Sequence, residues 1–141
     1  MRFMRYAAVA AIGTALMWAA APQEKFHTRL APVAMDATMR ANVAGIGSAT
    51  ATLSGNKLTI DGTFLGLRTP ATTAHLHLSR VAGVRGPAVL DLTVTHAVSG
   101  SVSGSFDLTP EQVEALKKGR FYIQIESEKA PDGNLWGWLM R

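Results

Sequence analysis

The sequence predicts an all-β domain, a Greek-key sandwich or barrel with one short connecting helix, and three observations carry that expectation. Thr-rich segments alternate apolar and polar residues with period two. Short clusters of Gly, Ser, Asn and Pro separate them at hairpin-scale spacing. A single capped stretch has the chemistry of a helix instead of a strand. The 141 residues suffice for a leader and one domain with a sizeable core.

The chain opens with "MRFMRYAAVAAIGTALMWAAAPQ". Arg2 and Arg5 precede an apolar run from about Ala7 to Trp18, and Ala19, Ala20 and Ala21 follow it, which is the pattern of a signal peptide over residues 1–21. The run is short for a membrane span. Pro22 directly behind Ala21 disfavours cleavage at that bond, which leaves two expectations: cleavage elsewhere, or a segment retained as a short anchor and as the chain's one contact with a membrane. The expected location is the periplasm or the outside of the cell.

Composition removes several function classes. There is no cysteine, hence no disulfide framework, no thiolate metal site, no cysteine nucleophile and no lipoprotein attachment site. The formal charge of +4 falls to +2 once Arg2 and Arg5 are set aside, with 12 basic and 10 acidic side chains remaining. The only basic cluster, Lys117-Lys118-x-Arg120, reads as a helix C-terminus, so no nucleic-acid partner is expected.

Residues 22–40 mix residue types without a clear period and read as an N-terminal arm, leaving 41–141 as the domain. In "ATATLSGNKLTIDGTFLGL" Leu58, Ile60 and Phe64 face one way and Thr59, Asp61 and Thr63 the other. The "SGNK" turn makes residues 47–66 a hairpin. "TAHLHLS" is the next strand, with Ala74, Leu76 and Leu78 opposite His75, His77 and Ser79. A Gly-containing loop follows. "AVLDLTVTHAV" reads as a strand in which Leu90, Leu92, Val94, His96 and Val98 share a face, which makes His96 a core histidine. "SGSVSGSFDL" reads as turns around a short edge segment.

Thr109 then caps a helix that has Pro110 in its first position, Gln112 completing a capping box, Glu111 near its positive end and Gly119 as its stop. Two strands close the chain. "RFYIQIES" sets Phe121, Ile123 and Ile125 against Tyr122, Gln124 and Glu126. "LWGWLMR", after the turn "EKAPDGN", sends Trp136 and Trp138 out of one face.

These segments together resemble the CHRD domain, the chordin-type domain common in exported bacterial proteins. The resemblance spans roughly residues 41–140. Its markers are Ala74, His75 and His77, then Gly86-Pro87, the helix from Leu108-Thr109 through Leu116 to Gly119, Tyr122, and Pro131, Gly133 and Gly137. Two places depart from the family pattern: Ile125-Glu126-Ser127 stands where Val-His-Thr is usual, and Trp136 stands where an arginine is usual. The resemblance implies an immunoglobulin-like or superoxide-dismutase-like fold, an extracytoplasmic location and no established enzymatic activity.

Candidate chemistry centres on His75 and His77, whose side chains leave one strand face about 7 Å apart. If their strand neighbours that of Glu126, two imidazoles and a carboxylate converge, a ligand set suited to copper, zinc or iron. The competing reading is structural, with the histidines hydrogen-bonding Glu126 or Tyr122 to fix register. A third reading makes Tyr122, Gln124, Trp136 and Trp138, beside the histidines, a binding surface for a protein or glycan. No catalytic constellation is recognisable, and the domain is expected to be a binding or assembly module, with a small metalloprotein as the alternative.

Overall fold

The computed structural model describes residues 22–141, so the leader lies outside the described residues. Eight strands are present among them: β1 (Gln23–Pro32), β2 (Ile46–Ser54), β3 (Lys57–Leu65), β4 (Ala71–Leu78), β5 (Ala88–Val94), β6 (Gly100–Asp107), β7 (Phe121–Ser127) and β8 (Ala130–Trp138). One helix, α1 (Pro110–Lys117), connects β6 to β7. All strand pairs are antiparallel, and they close into a barrel in the order β1-β2-β3-β6-β5-β4-β7-β8. Closure comes from Ala31 and Pro32 of β1 pairing Trp136 and Leu135 of β8, and from a bridge between His27 and Met140.

Period two decides what fills the barrel. Phe26 and Leu30 of β1, Ile60 of β3, Leu76 of β4, Ile123 of β7 and Leu135 of β8 all point inward and are at most 1% exposed. Each such side chain contributes about 1.5–3 kcal/mol on burial. The helix is built as its sequence indicates. Thr109 Oγ1 accepts from the Gln112 amide at 3.2 Å, Gln112 returns the bond to the Thr109 amide at 3.0 Å, and Gly119 takes φ 69° just past the end. Leu116, fully buried, joins the helix to the barrel interior.

Four segments differ from the sequence reading. The expected arm is mostly β1, a full barrel strand. Phe26, Thr28 and Leu30 are buried while Lys25, His27 and Arg29 are exposed, an alternation hidden in the sequence by the polar Thr28. The expected edge segment is β6, which lies between β3 and β5. Its small residues disguise an inward set of Val102, Gly104 and Phe106. β5 stops at Val94, because the Thr95 amide turns to Ser101 O at 3.0 Å and its hydroxyl accepts from the Ser101 amide at 3.0 Å. His96 therefore sits exposed in that turn and is not a core histidine. Finally, the last turn is only Glu128 and Lys129, so Pro131 and Gly133 belong to β8, at a break in its register with β7.

Outside the barrel a second, smaller core forms where residues 33–45 fold over β8. Val33, Val43 and Ala130 are buried there against Met39 and Trp136. Asn134, with no exposure, holds the segment in place. Its carbonyl accepts from the Val33 amide at 2.9 Å, its side-chain oxygen accepts from the Ala44 amide at 3.3 Å, and its amide donates to Ser127 Oγ at 2.8 Å.

Candidate functional site

β4, β7 and β8 are adjacent, and their register sets the outward residues in rows. His77, Tyr122 and Trp138 form one row, His75, Gln124 and Trp136 the next, and Thr73 stands opposite Glu126 in the third. The same alternation that sends Phe121, Ile123 and Ile125 into the barrel sends Tyr122, Gln124 and Glu126 outward. Outward here does not mean exposed: these three are 1%, 5% and 7% exposed. β7 is covered on both faces.

Aromatic packing supplies much of the cover. The His77 ring stacks on Tyr122, with centroids 4.7 Å apart and planes at 18°. Tyr122 also meets Trp138 at 4.5 Å and Trp136 edge-on at 5.8 Å. The Arg85 guanidinium lies 4.8 Å above the Trp136 ring. Trp136 and Trp138 remain half-buried, so a partner approaching this face meets the two indoles and Arg85, with Tyr122 and Gln124 beneath them.

The loop between β4 and β5 is fastened to this floor through Gly86. Its carbonyl accepts from Tyr122 Oη at 2.9 Å and from His77 Nδ1 at 2.9 Å, and its amide donates to Tyr122 Oη at 3.0 Å. Only glycine permits so close an approach, because a Cβ at Gly86 would collide with the Leu78 carbonyl oxygen.

Glu126 is the hub of the polar part. His75 Nδ1 donates to its two oxygens at 3.3 and 3.2 Å, Thr73 Oγ1 donates at 3.1 Å and Gln124 Nε2 at 3.2 Å. The other His75 nitrogen, Nε2, lies 3.4 Å from exposed Asp91. Among the described residues two buried side-chain atoms lack a hydrogen-bond partner: His77 Nε2 and Gln124 Oε1. His77 Nδ1 stands 2.9 Å from the Gly86 carbonyl and 3.2 Å from Tyr122 Oη; in the neutral ring with its proton on Nδ1, toward that carbonyl, Nε2 is a bare acceptor.

The residues singled out in the sequence thus fall on one face. One imidazole nitrogen from His75, one from His77 and a Glu126 oxygen lie within 4.8 Å of one another. Sequence reasoning missed Thr73, Asp91 and Arg85. Thr73 could have been found, since it precedes His75 by two on the same strand face. Arg85 had no local signal, because its contact with Trp136 spans the fold.

A broad depression on the far side of the barrel, over β2, β3 and β6, has a different character. It is open to solvent, and its lining includes Ser48, Thr50, Asp61, Thr63, Ser101 and Ser103 but no histidine.

No curated protein and no solved structure matches the chain. A family match to the CHRD domain runs over residues 25–139, from within β1 to the residue after β8, and so includes most of the strand that the sequence reading had left outside the domain. With that match covering nearly all the described residues, the chain belongs to the CHRD domain family.

Proposed function

We propose that this protein is an exported, non-enzymatic binding or assembly module, working in the periplasm or outside the cell, and that it meets a protein or glycan partner through the outer face of β4, β7 and β8. The observation that carries the reading is the rim formed by Trp136, Trp138 and Arg85: two half-buried indoles and a guanidinium over a buried aromatic floor. Fixed indoles offer large contact area at little cost in conformational entropy, and they stack on sugar rings as readily as on protein side chains. Export is supported by the basic start, apolar run and small residues of positions 1–21. A Greek-key arrangement of the superoxide-dismutase or immunoglobulin type is supported by the strand order, in which β7 returns to lie beside β4 after the β4-β5-β6 meander.

Fractionation of the native host with N-terminal sequencing of the recovered chain tests export. The expected result is a chain outside the cytoplasm, and a cytoplasmic chain contradicts the reading. Gel filtration of the same fraction tests binding. The wild type is expected in a complex that a Trp136→Ala, Trp138→Ala double substitution dissolves and a Thr50→Ala, Thr63→Ala substitution leaves intact. A monomer in all three contradicts it.

A further inference from the structure

We propose that His75, His77 and Glu126 form a binding site for one divalent transition ion of the zinc or copper class. The inference is independent of the partner reading, since these groups sit in the floor of the face and the partner would meet its rim.

Three observations carry it. The first is the donor set: the three side chains already offer two imidazole nitrogens and a carboxylate oxygen within 4.8 Å of one another. In a tetrahedral site with bonds of about 2.0–2.1 Å, neighbouring ligand atoms stand about 3.3 Å apart. His75 Nδ1 and the Glu126 oxygens stand at 3.2 and 3.3 Å. The widest span must contract by about 1.5 Å, within reach of side-chain rotation at a half-buried site.

The second is the setting of His77, whose Nδ1 faces a backbone carbonyl while Nε2 is free to ligate. Its Nδ1–H donates to the Gly86 carbonyl at 2.9 Å, the backbone anchor that ligating histidines commonly use, and Nε2 is left buried with no partner. A buried acceptor without a partner is unfavourable, and a cation would supply the missing partner. The third is that His75 has a carboxylate on each side, with Asp91 near Nε2 and Glu126 at Nδ1. An ion that takes the place of the proton between His75 Nδ1 and Glu126 requires that proton to move to Nε2, where Asp91 stands 3.4 Å away to accept a hydrogen bond from it, and the ring then ligates as a neutral imidazole.

The test uses the full chain, purified without a tag and stripped with chelator, titrated separately with Zn²⁺ and Cu²⁺ by calorimetry against a competitor of known affinity. The expected result is saturable binding of one equivalent. It should weaken at least about tenfold in His77→Ala and in Glu126→Gln, and stay within about twofold in His27→Ala and His96→Ala, which alter histidines outside the site. Should His77→Ala fail to fold, His75→Gln replaces it, and the imidazole nitrogen resonances of the wild type report directly whether His77 Nε2 shifts on metal addition. No saturable binding of either ion, or binding unchanged in the folded site variants, overturns the proposal and leaves His77 Nε2 to a buried water.

Discussion

Two outer faces of this barrel are built to the same rule and end in opposite states. On β2, β3 and β6 the outward rows are Thr50-Asp61-Ser103, Thr52-Thr59-Ser105 and Ser48-Thr63-Ser101, and the central residues Thr59, Asp61 and Thr63 are all exposed. On β4, β7 and β8 the rows carry His77-Tyr122-Trp138, His75-Gln124-Trp136 and Thr73-Glu126, and the central residues Tyr122, Gln124 and Glu126 are all buried. Strand alternation fixes only which way a side chain leaves the sheet. Whether it then meets water depends on its size and on what folds over it. Hydroxyl side chains are too short to cover a neighbour, whereas indoles and a stacked imidazole can, and two loops complete the cover.

That contrast can be broken by substitution, read as the shift in denaturant midpoint at constant slope. The largest expected effect is Tyr122→Ala, which removes the ring that His77, Trp136 and Trp138 all touch and should cost about 3–5 kcal/mol. A loss under about 1 kcal/mol would mean the covered face is not packed as a core.

Gly86→Ala should cost about 1–3 kcal/mol, since the loop must retreat from Leu78 and surrender its bonds to Tyr122 and His77. A neutral result would show that the loop is not fastened there. Arg85→Ala should cost about 0.5–1 kcal/mol and move the Trp136 fluorescence, because the guanidinium over that ring is exposed. On the opposite face Thr59→Ala should stay within about 0.5 kcal/mol. If it costs as much as Tyr122→Ala, the two faces are not different in kind.

The smallest effect concerns the segment over β8. Asp36 accepts from the Thr38 hydroxyl at 2.6 Å and from the Thr38 and Met39 amides at 2.9 and 3.1 Å. These bonds, the Thr38 side chain first, hold its carboxyl below the ordinary value of 3.8. A carboxyl with a lowered pKa in the folded state stabilises above its unfolded pKa and loses that contribution as pH falls through the folded one. Acid titration should therefore move the Thr38 and Met39 amide resonances together, at a pH below 3.8, before the barrel amides move. Movement at or above that pH would remove these hydrogen bonds from the account.

Much of this was legible in the sequence, and the rest was not for physical reasons. The His75/His77 face, the Tyr122/Gln124/Glu126 face and the helix cap follow from period two and from local capping chemistry, so neighbouring residues suffice to read them. The pairing of β4 with β7 joins positions as far apart as Thr73 and Glu126, 53 residues along the chain, and no local signal sets that register. β1 and β6 were missed because Thr28 and Gly104 stand at inward positions where a reader of hydropathy expects large apolar residues. His96 was misplaced because alternation continues on paper past Val94, where backbone bonds to Ser101 turn the chain.

The claim that function resides on the covered face is tested most directly by placing a photo-crosslinking amino acid at position 138 in one chain and at position 59 in another, and irradiating the native host. A discrete crosslinked species is expected from position 138 and none from position 59. Crosslinking from position 59, with position 138 silent, would contradict it.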